Sequence, residues 1–225
     1  MATRVLTLGG AIARLRKYYG SPVRPPTVDP FELILLENVA YLASPAERRE
    51  AFEELKRTVG TSPAAIRAAP PQALERITAH GALKSEFAEK LRDCARIAVE
   101  DFDGDVERQL EDSLPAAKRA LRRFPGIGEP GAEKILLFTG RQALLAPDSN
   151  GLRVLVRLGL VREHKSYSST YAGSREAAKA LPAKARVLQE AHLLLQQHGQ
   201  TLCKRRAPLC DVCPLASGCA YGQRQ

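Results

Sequence analysis

The tetrapeptide Ser44-Pro45-Ala46-Glu47 constrains this chain more than any other short stretch. A serine hydroxyl that accepts from the third residue of a helix, a glutamate that reaches back to the serine amide, and a proline where no amide is needed together start a helix. Gly60 offers the stop, and the signals predict a helix over about 45–58. Similar patterning predicts helices near 31–43, 85–100, 115–123, 129–138, 149–159 and 184–198, the last with Val187, Leu188, Ala191, Leu194 and Leu195 on one face. No stretch alternates as a convincing strand does, so an all-α fold is expected. The polar segment 163–174 lacks apolar periodicity and reads as a surface loop. The acidic run from Asp101 to Asp105 lacks the distal glutamate of a calcium loop and reads as a turn between helices.

A chain of 225 residues can bury one large core or two smaller ones that share a cleft. Its 34 Lys and Arg outnumber 25 Asp and Glu, and with a formal charge of +9 and few aromatics a polyanionic partner fits. The first twenty residues show neither a basic leader nor a small-residue cleavage site, and no apolar run reaches membrane-span length. No membrane association is expected, and an intracellular monomer of the cytoplasm or nucleoid is.

Four of the five cysteines, Cys203, Cys210, Cys213 and Cys219, are separated by six, two and five residues, a clustering that points to a metal site rather than a secreted disulfide framework. Zinc and a [4Fe–4S] cluster both accept four thiolates, and spacing does not decide between them. Lys204, Arg205 and Arg206 lie between the first two of these cysteines, where they would project towards phosphates. Cys94, in an apolar helical context, reads as core.

Between two predicted helices, Phe124-Pro125-Gly126-Ile127-Gly128 makes a short turn preceded by Lys118, Arg119, Arg122 and Arg123. Gly126 and Gly128 admit dihedrals that point amides outward at a phosphate, so Gly126, Ile127 and Gly128 are candidate DNA-backbone contacts. Asp148 is well placed to cap the helix that follows, where its carboxylate stays ionised beside the positive end of the dipole. Glu37 lies in a helix apolar on nearly every side, and an unpaired carboxylate there would be costly enough to suggest a function.

The hairpin FPGIGEPGAEKILLF, the segment APDSNGLRV and the four cysteines resemble, in order and spacing, the helix-hairpin-helix DNA glycosylases of the endonuclease III and MutY type. The resemblance implies two helical domains flanking a DNA-binding cleft: a six-helix barrel near 24–137, and a second domain made of 1–23 plus 138–225 with a C-terminal [4Fe–4S] loop. It implies a base-excision-repair enzyme that flips a damaged or mismatched base out of double-stranded DNA and hydrolyses its N-glycosidic bond, with uracil or thymine opposite guanine as leading substrates. Asp148 matches the essential aspartate, Asn150 the amide that steadies it, and Glu37 a glutamate found in the monofunctional branch, there to protonate the base or order water. Where strand-nicking relatives carry a Schiff-base lysine this chain has Pro130, so a monofunctional enzyme is expected. A glycosylase and lyase using Lys134, or a lesion-binding protein without turnover, are the alternatives. After Glu37 the polar residues that enter the duplex in the family are replaced, leaving Tyr41 and Leu42 as candidates.

Overall fold

The computed structural model describes residues 6–224; residues 1–5 of the N-terminal stretch, and Gln225, lie outside the described residues. Its helices are α1 Leu8–Tyr19, α2 Pro30–Asn38, α3 Pro45–Thr58, α4 Pro63–Ala68, α5 Pro71–Thr78, α6 Lys84–Phe102, α7 Val106–Gln109, α8 Leu114–Leu121, α9 Glu129–Phe138, α10 Ser149–Leu158, α11 Tyr167–Ala172, α12 Ser174–Ala178 and α13 Ala185–Thr201. The sole β-type pairing among the described residues is an isolated antiparallel bridge between Tyr41 and Ala82. The fold is all-α. None of the described helices is long and apolar enough to cross a membrane.

The chain divides into two compact units, Pro25–Arg141 and the pair of segments Met1–Arg24 with Gln142–Gln225. In the first, α2, α4 and α5 pack on α6, whose inward face buries Phe87, Leu91, Cys94, Ile97 and Phe102. The reciprocal cap that opens α3 is formed: Ser44 Oγ accepts from the Glu47 amide at 3.3 Å, and the Ser44 amide donates to Glu47 Oε2 at 2.8 Å. Phe52 and Leu55 of this helix are fully buried.

The helix expected over 31–43 ends at Asn38, five residues early. The Asn38 side-chain amide donates to Ile34 O at 3.1 Å and across to Pro125 O at 3.0 Å, so the buried side chain joins the helix end to the hairpin turn. The chain then leaves the helix, Tyr41 meets Ala82, and Leu42 takes a left-handed φ of 60°.

In the second unit α13 packs against α10 and α1. The segment expected to be a loop instead forms α11, started by Ser166, whose hydroxyl accepts from the Ser169 amide at 3.1 Å. A six-residue helix that buries only Thr170 and Tyr171 has too few apolar positions to show a period in sequence. After α13 the chain runs through irregular turns and two 3₁₀ turns, Ala216–Gly218 and Gly222–Arg224. This stretch is not the C-terminal [4Fe–4S] loop that the family resemblance implied: among the described residues no group of three or more potential ligands is arranged to hold a metal ion.

Candidate active site

In the second unit, residues around the start of α10 build a polar site. Asp148 caps the helix, its Oδ1 accepting from the Gly151 amide at 2.8 Å. Its Oδ2 accepts from Asn150 Nδ2 at 3.2 Å and from Gln196 Nε2 of α13 at 3.0 Å. Burial by itself would push this carboxyl up, but the neighbouring His192, the Gly151 amide and the Gln196 and Asn150 amides outweigh it and hold Asp148 below its ordinary value. His192 is oriented through its Nδ1, 2.6 Å from Ala146 O. The result is a largely buried, ionised carboxylate fixed from several directions.

Arg153 extends the site. One turn beyond Asn150 on α10, its Nη2 donates to Asn150 Oδ1 at 2.9 Å and to Gly199 O at 2.7 Å, and its Nε donates to Cys203 O at 2.9 Å. Arg157, a further turn on, donates to Lys204 O at 2.7 Å and Arg205 O at 3.2 Å while lying 4.6 Å from the Tyr221 ring centre. Two arginines thus fix the backbone of the loop on which Lys204, Arg205 and Arg206 stand exposed. Gln196, Arg153 and Arg157 were missed in sequence. The arginines have a readable signal, since Asn150, Arg153 and Arg157 follow i, i+3, i+7 spacing on one helix face, whereas Gln196 has none.

The expected metal centre requires correction. Among the described residues no group of three or more His, Cys, Asp or Glu side chains is arranged to hold a metal ion. This overturns the [4Fe–4S] cluster expected at Cys203, Cys210, Cys213 and Cys219, the iron–sulfur branch of the resemblance and the metal-binding role. The four residues line one largely apolar pocket, but several of the thiols are engaged with protein groups. Cys203 Sγ accepts from Arg157 Nη1 at 3.4 Å, Cys219 Sγ donates to Arg157 O at 3.3 Å, and Cys213 Sγ lies 3.6 Å from His198 Nε2. Burial, with the neighbouring thiols adding to it, raises the Cys210 and Cys213 thiols and favours their neutral form. Spacing brings cysteines near one another; it does not aim their sulfurs at one centre.

In the first unit Glu37 is not the unpaired carboxylate its apolar helix suggested. Its Oε2 lies 2.5 Å from Lys134 Nζ of α9, and its Oε1 lies 4.0 Å from Arg48 Nη1 of α3. Lys134, the alternative nucleophile, therefore has its ammonium against a carboxylate. Pro130 occupies the first turn of α9, where its missing amide costs nothing.

The hairpin turn joins α8 to α9. Gly126 has φ 74°, and a Cβ there would stand 2.6 Å from Asn38 Oδ1, so both conformation and space call for glycine. Gly128 instead adopts φ −87° as the residue before α9, so it does not need the unusual dihedrals expected of it. Both glycines are exposed, while the Ile127 side chain is buried and its amide donates to Phe124 O at 3.2 Å. The basic residues before the turn are partly neutralised: Lys118 pairs with Glu129 and Glu133, and Arg123 with Asp101 at 2.6 Å. Tyr41 stacks on Phe87 with ring centres 4.7 Å apart, and Leu42 is 77% exposed. Cys94 is core, its thiol pushed up to about 12 by burial.

No family model matches the chain. It is 26% identical over 197 residues to endonuclease III of Thermotoga maritima, covering 88% of this chain and 85% of that protein. A Methanocaldococcus jannaschii protein provisionally named a DNA repair glycosylase is 28% identical over 133 residues, and the chain spans 59% of its length. Among solved structures, a non-covalent endonuclease III–DNA complex superposes with TM-score 0.75 at 21% identity, covering 95% of this chain and 94% of that one. The fold is that of endonuclease III.

Proposed function

We propose that this chain is a base-excision-repair DNA glycosylase that binds duplex DNA as a monomer and hydrolyses the N-glycosidic bond of a flipped-out base without nicking the strand. The fixed, ionised Asp148 carboxylate is the observation that carries the reading. As the base departs, the sugar becomes oxocarbenium-like, and an anion already held by its neighbours opposes that charge without reorganising. Asn150 and Gln196 aim the carboxylate, and water attacks the anomeric carbon as the base leaves. Support also comes from the similarity to endonuclease III over most of the chain.

Glu37 is assigned to the acid–base work of the reaction, and Lys134 to holding Glu37 rather than attacking the sugar. Pro130 has no amine, and the Lys134 ammonium is already bound to a carboxylate. Gly126, Gly128 and the basic residues 204–206 are assigned to phosphates.

The test is incubation of the protein with duplexes carrying uracil, thymine opposite guanine, oxidised pyrimidines or alkylated bases, each developed with and without alkali and with borohydride. Strand cleavage that depends on alkali, no borohydride-trapped adduct, and a loss on the order of 10²–10³-fold in Asp148→Asn are expected. Cleavage without alkali together with a trapped adduct lost in Lys134→Gln would assign the lyase reaction instead.

A further inference from the structure

In the first unit α3 and α9 both pack on α2, and from them Arg48 and Lys134 reach the Glu37 carboxylate, all three side chains being partly buried. The two contacts differ in kind. Lys134 Nζ lies 2.5 Å from Oε2 and donates to it, so that oxygen is already an acceptor. Arg48 Nη1 stands 4.0 Å from Oε1, beyond hydrogen-bond range, and this is the sole ion pair of Arg48 among the described residues. Its Nε is buried and has no hydrogen-bond partner. Buried donors without an acceptor are rare in folded proteins, because lost hydration goes uncompensated. A guanidinium is also always charged, and it offers its donors in a rigid fork that suits oxygen acceptors. Arg48 is thus a poorly satisfied cation held beside a carboxylate, and the packing around it gives no reason for one. With Lys134 and Glu37 it makes a trio of one net positive charge.

We propose, resting on the glycosylase reading, that Arg48 donates to a carbonyl oxygen beside the glycosidic nitrogen of the flipped-out base and stabilises the negative charge that gathers there as the base departs. The substrate then supplies the acceptor that Arg48 lacks. O2 of a pyrimidine is such an oxygen. A purine alkylated to a cation has no carbonyl beside its glycosidic nitrogen, and the net positive charge of the trio repels it. Glu37, with Oε2 occupied by Lys134, takes a proton rather than giving one. Water adds to C1′ and passes a proton to Glu37 Oε1, while the bond from C1′ to the base breaks with its electron pair staying on the base. That proton then leaves Glu37 for the departed base or for solvent. Of the two roles open to Glu37 from sequence, protonating the base and ordering water, the second is assigned. Arg48 does for the leaving group what a fixed donor does for any developing anion, at a site where no donor has to move.

The experiment measures single-turnover base release by the full chain from duplexes holding thymine, uracil or 5-fluorouracil opposite guanine, in rising order of leaving-group acidity, and from one holding 7-methylguanine. Without Arg48 the base must bear its own charge, so Arg48→Met should slow uracil about tenfold or more and 5-fluorouracil about threefold or less, steepening the dependence on acidity. Arg48→Lys, which keeps the charge but not the fork, should fall between. Methionine removes a buried unpartnered donor, so the Tm of that variant should be unchanged or higher, which separates lost chemistry from lost fold. The wild type should release 7-methylguanine no faster than it is lost spontaneously. Equal slowing of every pyrimidine by Arg48→Met, no slowing at all, or release of 7-methylguanine as fast as uracil would overturn the assignment of Arg48 while leaving the glycosylase reading intact. If the wild type releases none of these bases, the glycosylase reading falls and the role of Arg48 with it.

Discussion

Asp148 stays ionised in a place where burial opposes charge because several neighbours favour the anion. Its folded-state pKa therefore lies below the unfolded one. The stability this contributes is present above the unfolded value and is lost as pH falls through the folded value, and activity that needs the carboxylate shares that acid limit. Removing one donor should raise the limit. In Gln196→Ala, which deletes the 3.0 Å hydrogen bond to Oδ2, the acid limb of the single-turnover rate should move to higher pH while the rate well above it changes little. A limb that does not move would show that Gln196 has no part in holding the charge. Asp148 itself was legible in sequence as a helix cap within a recognisable segment. Gln196 was not, because it reaches the carboxylate from another helix far along the chain. Glu37 shows the converse: its helix is apolar in sequence, but its partners Lys134 and Arg48 come from other helices, and no local pattern announces them.

Helices were legible where their signals are local. The cap at Ser44 and the apolar face of α13 depend on residues within one or two turns; the cap forms as expected, and of the face Leu188, Ala191, Leu194 and Leu195 are buried while Val187 is half-buried. The early end of α2 was hidden because it is accompanied by a hydrogen bond from Asn38 to a carbonyl in a distant turn. The cysteine spacing was equally plain, yet the arrangement of sulfurs depends on hydrogen bonds to Arg157 that spacing does not encode. Packing between α10 and α13 sets the second unit and hence the site. Gly199 permits it, since a Cβ there would stand 2.6 Å from Asn150 O. Backbone cannot swing aside as a side-chain tip can, so Gly199→Ala should cost about 1–3 kcal/mol of stability, read as a lower urea midpoint at unchanged m value. It should also slow the reaction by shifting Asn150 against Asp148. Wild-type stability in this variant would mean that the helices separate without strain.

For the molecule as a whole, a formal charge of +9 favours DNA without specifying any chemistry. The fold resemblance narrows the field, and the chemistry then rests on one carboxylate and its neighbours. The most direct measurement is of the leaving base itself, recovered under single-turnover conditions from a uracil-containing or otherwise damaged duplex and identified by mass spectrometry together with the strand it left. Hydrolysis assisted by Asp148 should give free base and an intact strand bearing an abasic site, in equal amounts, with both falling on the order of 10²–10³-fold in Asp148→Asn at undiminished duplex binding. Release of base at the wild-type rate by Asp148→Asn, or no free base from any damaged duplex that the protein binds, would contradict it.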